Sequence, residues 1–205
     1  MRTSNRNHMN MRLQTTLVLI VIGAAIPQLS GIAVAQTPTV IEYRVLATNK
    51  TSTMQKEMQE AAEAGFRFGD VMGGDTAFGG SEVVVIMVKG GQAGKFGYRL
   101  LATNKTSTMQ KEMQEASDAG FQYVGQTVFE TAFGGKEVVC IFERDPSIVS
   151  SPKYAYRLLA TTKTSTLEKE LKEAGDAGYV VVGMTVAETM GGGKEIVAIT
   201  RRRGN

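Results

Sequence analysis

Hydrophobic and polar residues follow a pattern that occurs three times along this chain. In its middle occurrence, Tyr98–Thr103 combines aromatic and branched residues in the way that is typical of a short β-strand. After a polar turn, Met109, Met113 and Ala116 fall on one face of a predicted helix. A second strand, a glycine-rich turn and a third strand follow. Each occurrence therefore predicts a β-α-β-β unit.

The three occurrences align without a gap, as Tyr43–Gly90, Tyr98–Asp145 and Tyr156–Arg203. The chain therefore divides into a leader, three tandem units and two connectors. We place the leader at residues 1–35, unit 1 at 36–90, a glycine-rich connector at 91–97, unit 2 at 98–145, a second connector at 146–155 and unit 3 at 156–203.

The fold class that this pattern predicts is α+β, with one helix covering one face of a three-stranded sheet in each unit. A unit of about fifty residues rarely holds a sufficient core by itself. We therefore expect the three units to pack on one another. Either one shared core with pseudo-threefold symmetry or one continuous sheet would satisfy this requirement.

Both ends of the predicted helix carry terminal signals. Ser107 and Gln110 have the spacing of a capping box, which predicts a helix start at this serine. At the other end, Gly120 can adopt the positive φ of a residue just past the helix, and Phe121 then makes the hydrophobic contact of a Schellman motif. The other two units repeat both signals.

Residues 1–35 have the features of an export signal. Arg2, Arg6 and Arg12 form a positive start, an apolar run follows, and Ala33–Ala35 is a small-residue cleavage motif. Three of the 23 basic residues and none of the 20 acidic residues lie in this leader, so the remainder is neutral. We expect an exported protein, periplasmic or extracellular, without the positive charge that attracts nucleic acid or anionic membranes.

Few groups in the sequence suit catalysis or metal binding. His8, the one histidine, leaves with the predicted leader, and Cys140, the one cysteine, stands in an apolar strand-like run. Without an imidazole, the remaining chain has no histidine-based triad and no histidine zinc site. We therefore predict a non-catalytic protein that holds no cofactor and no metal ion.

Methionines in the first two predicted helices are a second candidate metal site. Met54 and Met58 have the i, i+4 spacing of a thioether pair for copper(I). Unit 3 carries Leu167 and Leu171 at the same positions, and leucine fills a core as methionine does without ligating a metal. The pattern therefore indicates core positions.

The turn before each helix is a candidate anion site, because it supplies a lysine, hydroxyl groups and the free amide groups of a helix N-terminus. Ordinary capping is the alternative interpretation of the same groups. The candidate ligand-binding residues are Lys50, Ser52, Lys105, Ser107, Lys163 and Ser165.

The glycine-rich turns between the second and third strands carry aromatic and acidic residues. Phe78 and Phe133 stand at the tips of two of these turns and are candidates for protein contacts. Flanking carboxylates could serve as general acid and base in an alternative, catalytic function, although a solvated charged rim is the commoner outcome. Val83–Val88 is strongly β-prone, so an exposed edge here would let strands of different chains pair.

The order of an aromatic-basic strand, a helix that ends in Ala-Gly-aromatic and a final hairpin resembles a bacterial protein family. In unit 1 these features are Tyr43–Val45 and Ala64–Phe66. The family consists of short β-α-β-β proteins that are classed as a domain of unknown function, and each of the three units matches it. The resemblance implies a fold and supplies no catalytic residue.

Two functions are compatible with these observations. The first is an exported, non-catalytic repeat protein that acts in self-association or in binding to an envelope or extracellular component. The alternative is a protein that binds a small anionic ligand at the helix-start turns between units.

Overall fold

The computed structural model describes residues 40–76, 80–90, 94–103, 105–130, 136–188 and 193–204. The predicted leader and its cleavage motif lie outside these residues. Phe78 and Phe133, the predicted contact residues of the hairpin tips, also lie outside them.

Three β-α-β-β units follow one another, as the sequence predicts, so the α+β fold of three tandem units is confirmed. Unit 1 contains β1 (Glu42–Thr48), α1 (Thr51–Glu63), β2 (Arg67–Thr76) and β3 (Gly80–Lys89). Unit 2 contains β4 (Gly97–Thr103), α2 (Thr106–Asp118), β5 (Gln122–Glu130) and β6 (Lys136–Arg144). Unit 3 contains β7 (Tyr154–Thr161), α3 (Thr164–Asp176), β8 (Val180–Glu188) and β9 (Lys194–Arg203).

The last strand of each unit lies in the middle of its sheet and pairs antiparallel with both other strands. The strand orders are β1-β3-β2 in sheet A, β4-β6-β5 in sheet B and β7-β9-β8 in sheet C. Val83–Val88 therefore occupies the central strand of sheet A and is paired on both sides, so this run offers no free edge to another chain. The edges of sheet A are β1 and β2.

Helix termini confirm one of the two predicted signals. The amide of Phe66 donates to the carbonyl of Ala61, and the amide of Gly65, at φ 87°, donates to Ala62, which together form a Schellman motif. The predicted capping box is wrong. Helix α1 begins at Thr51, one residue before Ser52, and the side chain of its N-cap residue, Lys50, makes no capping hydrogen bond.

The buried residues join successive units. The first hydrophobic cluster contains Met54 and Met58 of α1 together with residues of sheet A and with Val139 and Ile141 of sheet B. The second cluster likewise joins α2 to Ile199 of sheet C. Helices α1 and α2 therefore each lie between two sheets, and the predicted core role of the methionines is confirmed.

This layered arrangement replaces both alternatives that the sequence left open. The three sheets remain separate, so no continuous sheet forms, and the buried residues divide into three clusters rather than one shared core. The third cluster is the smallest and contains only residues of unit 3, such as Leu159, Leu167 and Ala198. Among the described residues, no helix is long and apolar enough to cross a membrane.

Candidate interaction surface

The predicted anion-binding residues lie at three separate helix starts. Lys50, Lys105 and Lys163 are the N-cap residues of the three helices, and they and the serines Ser52, Ser107 and Ser165 are exposed. Because sheet B lies between α1 and α2, and sheet C between α2 and α3, the turns do not converge on one cleft. Anion binding at a single turn stays a prediction.

A surface cleft of about 460 Å³ lies at the connector between units 2 and 3, away from the helix starts. Charges of both signs line it, including Asp118, Arg144, Asp145 and Lys153. Two hydrogen bonds from Ser147 lower the pKa of Asp145. The lining therefore resembles an ordinary solvated surface.

The structure places two sets of candidate catalytic groups, the thiol of Cys140 and carboxylates that flank the hairpins. The side chain of Cys140 is fully buried in the second cluster, and burial raises the pKa of this thiol to about 12. The backbone register pairs Glu130 with Lys136 and Glu188 with Lys194 across their hairpins. Within the described residues, no group of three potential metal-ligating side chains is found.

The interface between units 1 and 2 centres on a buried carboxylate. Glu143 of β6 is 7% exposed, and its carboxylate accepts bidentate hydrogen bonds of 2.8 to 3.2 Å from the guanidinium group of Arg67 in β2. Its Oε2 also accepts from the hydroxyl group of Tyr98 at 2.9 Å. The hydrogen bond to Glu143 raises the pKa of Arg67, and burial raises that of Tyr98. This network of hydrogen bonds connects β2, at the edge of sheet A, to β4 and β6 of sheet B.

A tyrosine in the first strand of each following unit docks on a β-bulge of the preceding unit. The hydroxyl oxygen of Tyr98 accepts from the amide of Phe68 at 2.8 Å, where the register of β2 shifts. In the next interface, the hydroxyl oxygen of Tyr156 accepts from the amide of Tyr123 at 3.0 Å, beside the corresponding bulge of β5. The two interfaces therefore share one recognition contact.

Glutamine side chains of α1 form hydrogen bonds with backbone groups at the unpaired edge of β4. Oε1 of Gln55 accepts from the amide of Leu100 at 2.8 Å. Oε1 of Gln59 accepts from the amide of Tyr98 at 3.2 Å, and its Nε2 donates to the carbonyl of Phe96 at 3.4 Å. The helix side chains thus replace the neighbouring strand that β4 lacks on this side.

Helix α2 repeats the arrangement at the edge of β7. Gln110 accepts from the amide of Leu158 at 2.7 Å and donates to the carbonyl of Tyr156 at 2.5 Å. Gln114 accepts from the amide of Tyr156 and donates to the carbonyl of Tyr154, both at 3.2 Å. The hydroxyl group of Ser117 exchanges two hydrogen bonds of 2.8 Å with the backbone of Tyr154.

Sheet A has a face of the same kind as the faces of sheets B and C that α1 and α2 cover, but in sheet A this face is exposed. Because Tyr43 pairs with Val88, Val45 with Ile86 and Ala47 with Val84, these residues share the face that points away from α1. We define the open face of sheet A by five of its residues, Tyr43, Val45, Val84, Ile86 and Val88. Tyr43 is 68% exposed, whereas Tyr98 and Tyr156 at the same position are 5% and 3% exposed.

Helix α3 differs from α1 and α2 at the positions that contact the next unit. Glu168 replaces the first glutamine and Lys172 the second, and Gly175 stands where the others have alanine or serine. Lys172 forms a 2.8 Å ion pair with Asp176 on the exposed surface of this helix. The charged helix therefore ends the series of stacked layers on the side opposite the open face.

Comparisons of the chain with protein-family models, with curated proteins and with solved structures gave no match.

Sequence reasoning assigned the glutamines to helix capping and so missed the interface. One signal in the sequence does identify them. Units 1 and 2, each of which is followed by another unit, have the neutral glutamines Gln55 and Gln110 at this position. Unit 3, the last, has the charged Glu168 there.

Proposed function

We propose that this protein is an exported, non-catalytic repeat protein that binds a protein partner through the open face of sheet A. The observation that carries this proposal is the contrast in burial between equivalent residues. Ile86 is 39% exposed, whereas Ile141 and Ile199 at the same position are fully buried beneath a helix. An apolar face that the fold covers twice and leaves uncovered once is a typical interaction surface.

The dimensions of the open face indicate a modest affinity. Two strands about 4.8 Å apart, each with about seven paired residues at about 3.3 Å per residue, give a face of about 10 by 23 Å. This is smaller than the roughly 800 Å² per partner that stable complexes bury. We therefore expect a reversible complex with a dissociation constant on the order of micromolar, unless the partner also pairs with the edge of β1.

Export is the second part of the proposal, and the leader supports it. The test is the mass of the protein recovered from outside the cytoplasm of the producing cell. Cleavage after Ala35 gives a chain that begins at Gln36. A protein of full length that stays in the cytoplasm would contradict export.

Binding is tested in the producing cell by photo-crosslinking. A benzophenone amino acid replaces Tyr43 in one variant and Lys56 in a matched control, since the Lys56 side chain is 78% exposed on α1 and far from the open face. We expect a crosslinked species of defined mass from position 43 and none from position 56. Equal patterns from both positions would contradict a binding role for the open face.

Mass spectrometry of the crosslinked species separates the two forms of association. Val180, Val181 and Met184 are exposed on β8, at the other end of the series of layers, and could contact the open face of a second copy. A product of twice the chain mass would identify self-association. Any other discrete mass would identify a different envelope or extracellular protein.

A further inference from the structure

The open face resembles its two covered equivalents closely enough to indicate what binds it. Resting on the proposed function, we propose that it binds a helix of a partner protein that carries glutamines at i and i+4 and a small residue at i+7. Such a helix would sit on sheet A as α1 sits on sheet B and α2 on sheet C.

The first support is that this mode of binding occurs twice within the chain. Gln55, Gln59 and Ala62 of α1 have the same spacing as Gln110, Gln114 and Ser117 of α2. In both cases the glutamine amides bond the outer edge of the first strand of the next sheet, while apolar residues of the helix cover the face of that sheet. The spacing i, i+4, i+7 places all three side chains on one side of a helix.

The second support is that four residues of this surface are retained in sheet A, while Val45 stands in place of the leucines Leu100 and Leu158. Tyr43, Ala47, Val84 and Ile86 are identical to their counterparts in sheets B and C. Those counterparts are Tyr98, Ala102, Val139 and Ile141 in sheet B, and Tyr156, Ala160, Val197 and Ile199 in sheet C. The backbone of β1 presents the same free edge, because β1 pairs only with β3.

One difference defines the partner further. Val88 occupies the position of Glu143 in sheet B and Arg201 in sheet C, so sheet A has no charge there to pair with an arginine like Arg67. An arginine at that point of the partner would lose its hydration without gaining an ion pair, which is costly. We therefore expect an apolar residue two positions after the glycine that ends the partner helix.

Helix α3 of a second copy does not fit this description. Docking it on the open face would place Glu168 and Lys172 against the edge of β1. A carboxylate has no donor for a backbone carbonyl, and an ammonium group has no acceptor for an amide. Glu168 would therefore lack the bond that Gln110 donates to a carbonyl, and Lys172 would lack the bond that Gln114 accepts from an amide. Each would also lose hydration in binding. The partner is a different helix.

The experiment turns α3 into such a helix. The triple substitution Glu168→Gln, Lys172→Gln and Gly175→Ser gives α3 the contact residues of α2, so the end of one molecule should bind the open face of the next. By sedimentation velocity on the purified protein, we expect the triple variant to form head-to-tail chains that lengthen with concentration. Its apparent dissociation constant should be at least tenfold lower than that of the unsubstituted protein.

Two further variants make the result specific. Glu168→Ala, Lys172→Ala and Gly175→Ser removes the same charges without supplying glutamines, and we expect it to associate no more than the unsubstituted protein. Adding Tyr43→Ala to the glutamine variant should abolish its chains, and because Tyr43 is exposed this change leaves the fold intact. Circular dichroism and thermal unfolding confirm that each variant is folded.

Three outcomes would overturn the inference. Glutamine and alanine variants that polymerise equally would show that charge removal suffices. A folded glutamine variant that stays monomeric would show that the open face does not accept this helix. An unsubstituted protein that dimerises through Tyr43 would assign the face to a second copy. Each of these is compatible with a crosslink from position 43, so binding through the open face can hold even if the helix inference fails.

Discussion

The hydroxyl group of Tyr98 donates a 2.9 Å hydrogen bond to the carboxylate of Glu143 and, through its oxygen, accepts from the amide of Phe68. One side chain thereby connects the edge of sheet A to the centre strand of sheet B. The equivalent Tyr43 has no preceding unit within the described chain and stands exposed. Substitutions of Tyr98 and of Tyr43 therefore provide a matched test of what the contact between units contributes to stability.

Tyr98→Phe removes the hydroxyl group and keeps the ring. We expect the free energy of unfolding to fall by about 1 to 3 kcal/mol, because a buried amide and a buried carboxylate oxygen each lose a partner. Tyr43→Phe is the control and should change it by less than about 0.5 kcal/mol. Urea denaturation measures both. Equal effects in the two variants would contradict the assigned role of Tyr98.

Gln110→Ala tests the edge contacts of the helices. The substitution leaves the amide of Leu158 and the carbonyl of Tyr156 without their partner, so we expect a loss of about 1 to 3 kcal/mol in unfolding free energy. Glu168→Ala, at the same position of α3, should be neutral within about 0.5 kcal/mol because its side chain is exposed. Chemical denaturation of the two variants in parallel gives the comparison. A neutral Gln110 variant would mean that water replaces the glutamine at no cost.

The elements of each unit could be predicted because their signals are local. Gly120 and Phe121 end a helix through bonds to residues within the preceding two turns, and the spacing of Met109 and Met113 identifies a helical face. Such features depend on nearby residues along the chain. The predicted capping box failed because Gln110, although its spacing suits a local bond, bonds instead to β7, 46 and 48 residues away.

The stacking of the units could not be predicted from periodicity. Helices α1 and α2 bury two opposite faces, and their second face consists of glutamines and small residues that resemble a solvated surface. Within the sequence, an internal helix differs from the terminal one by glutamines, such as Gln59 and Gln114, where unit 3 has charged residues, such as Lys172. The open face was missed for a related reason, because Tyr43, Val45 and Ile86 have the sequence of an ordinary buried sheet.

Gln126→Met should stabilise the protein. The amide nitrogen and oxygen atoms of Gln126 are buried and make no hydrogen bond. Units 1 and 3 have Val71 and Met184 at this position, so an apolar side chain suits the local backbone. We expect a gain of about 1 to 2 kcal/mol, since methionine has no amide to desolvate. Thermal unfolding measures the change, with Met184→Gln as a nearly neutral control because Met184 is exposed. A destabilised Gln126→Met variant would indicate that the amide has an ordered water as its partner.

Cys140 provides a prediction about alkaline pH. Burial raises the pKa of its thiol from an ordinary value of 9.0 to about 12. The folded state therefore keeps the thiol proton at pH values where the unfolded chain loses it. The stability that this group contributes is complete below pH 9 and is lost as the pH rises from about 9 towards 12, at about 1.4 kcal/mol per pH unit.

Cys140→Val isolates this contribution, because unit 1 carries Val85 in the equivalent buried position. The buried tyrosines are common to both proteins, so the difference between them reports the thiol together with its effect on the pKa of the neighbouring Tyr123. We expect the two proteins to lose stability in parallel up to about pH 9. Above that value the unsubstituted protein should lose more, by about 2 kcal/mol at pH 10.5. Urea denaturation at intervals of half a pH unit gives the two curves, and parallel curves throughout would mean that the thiol ionises in the folded state.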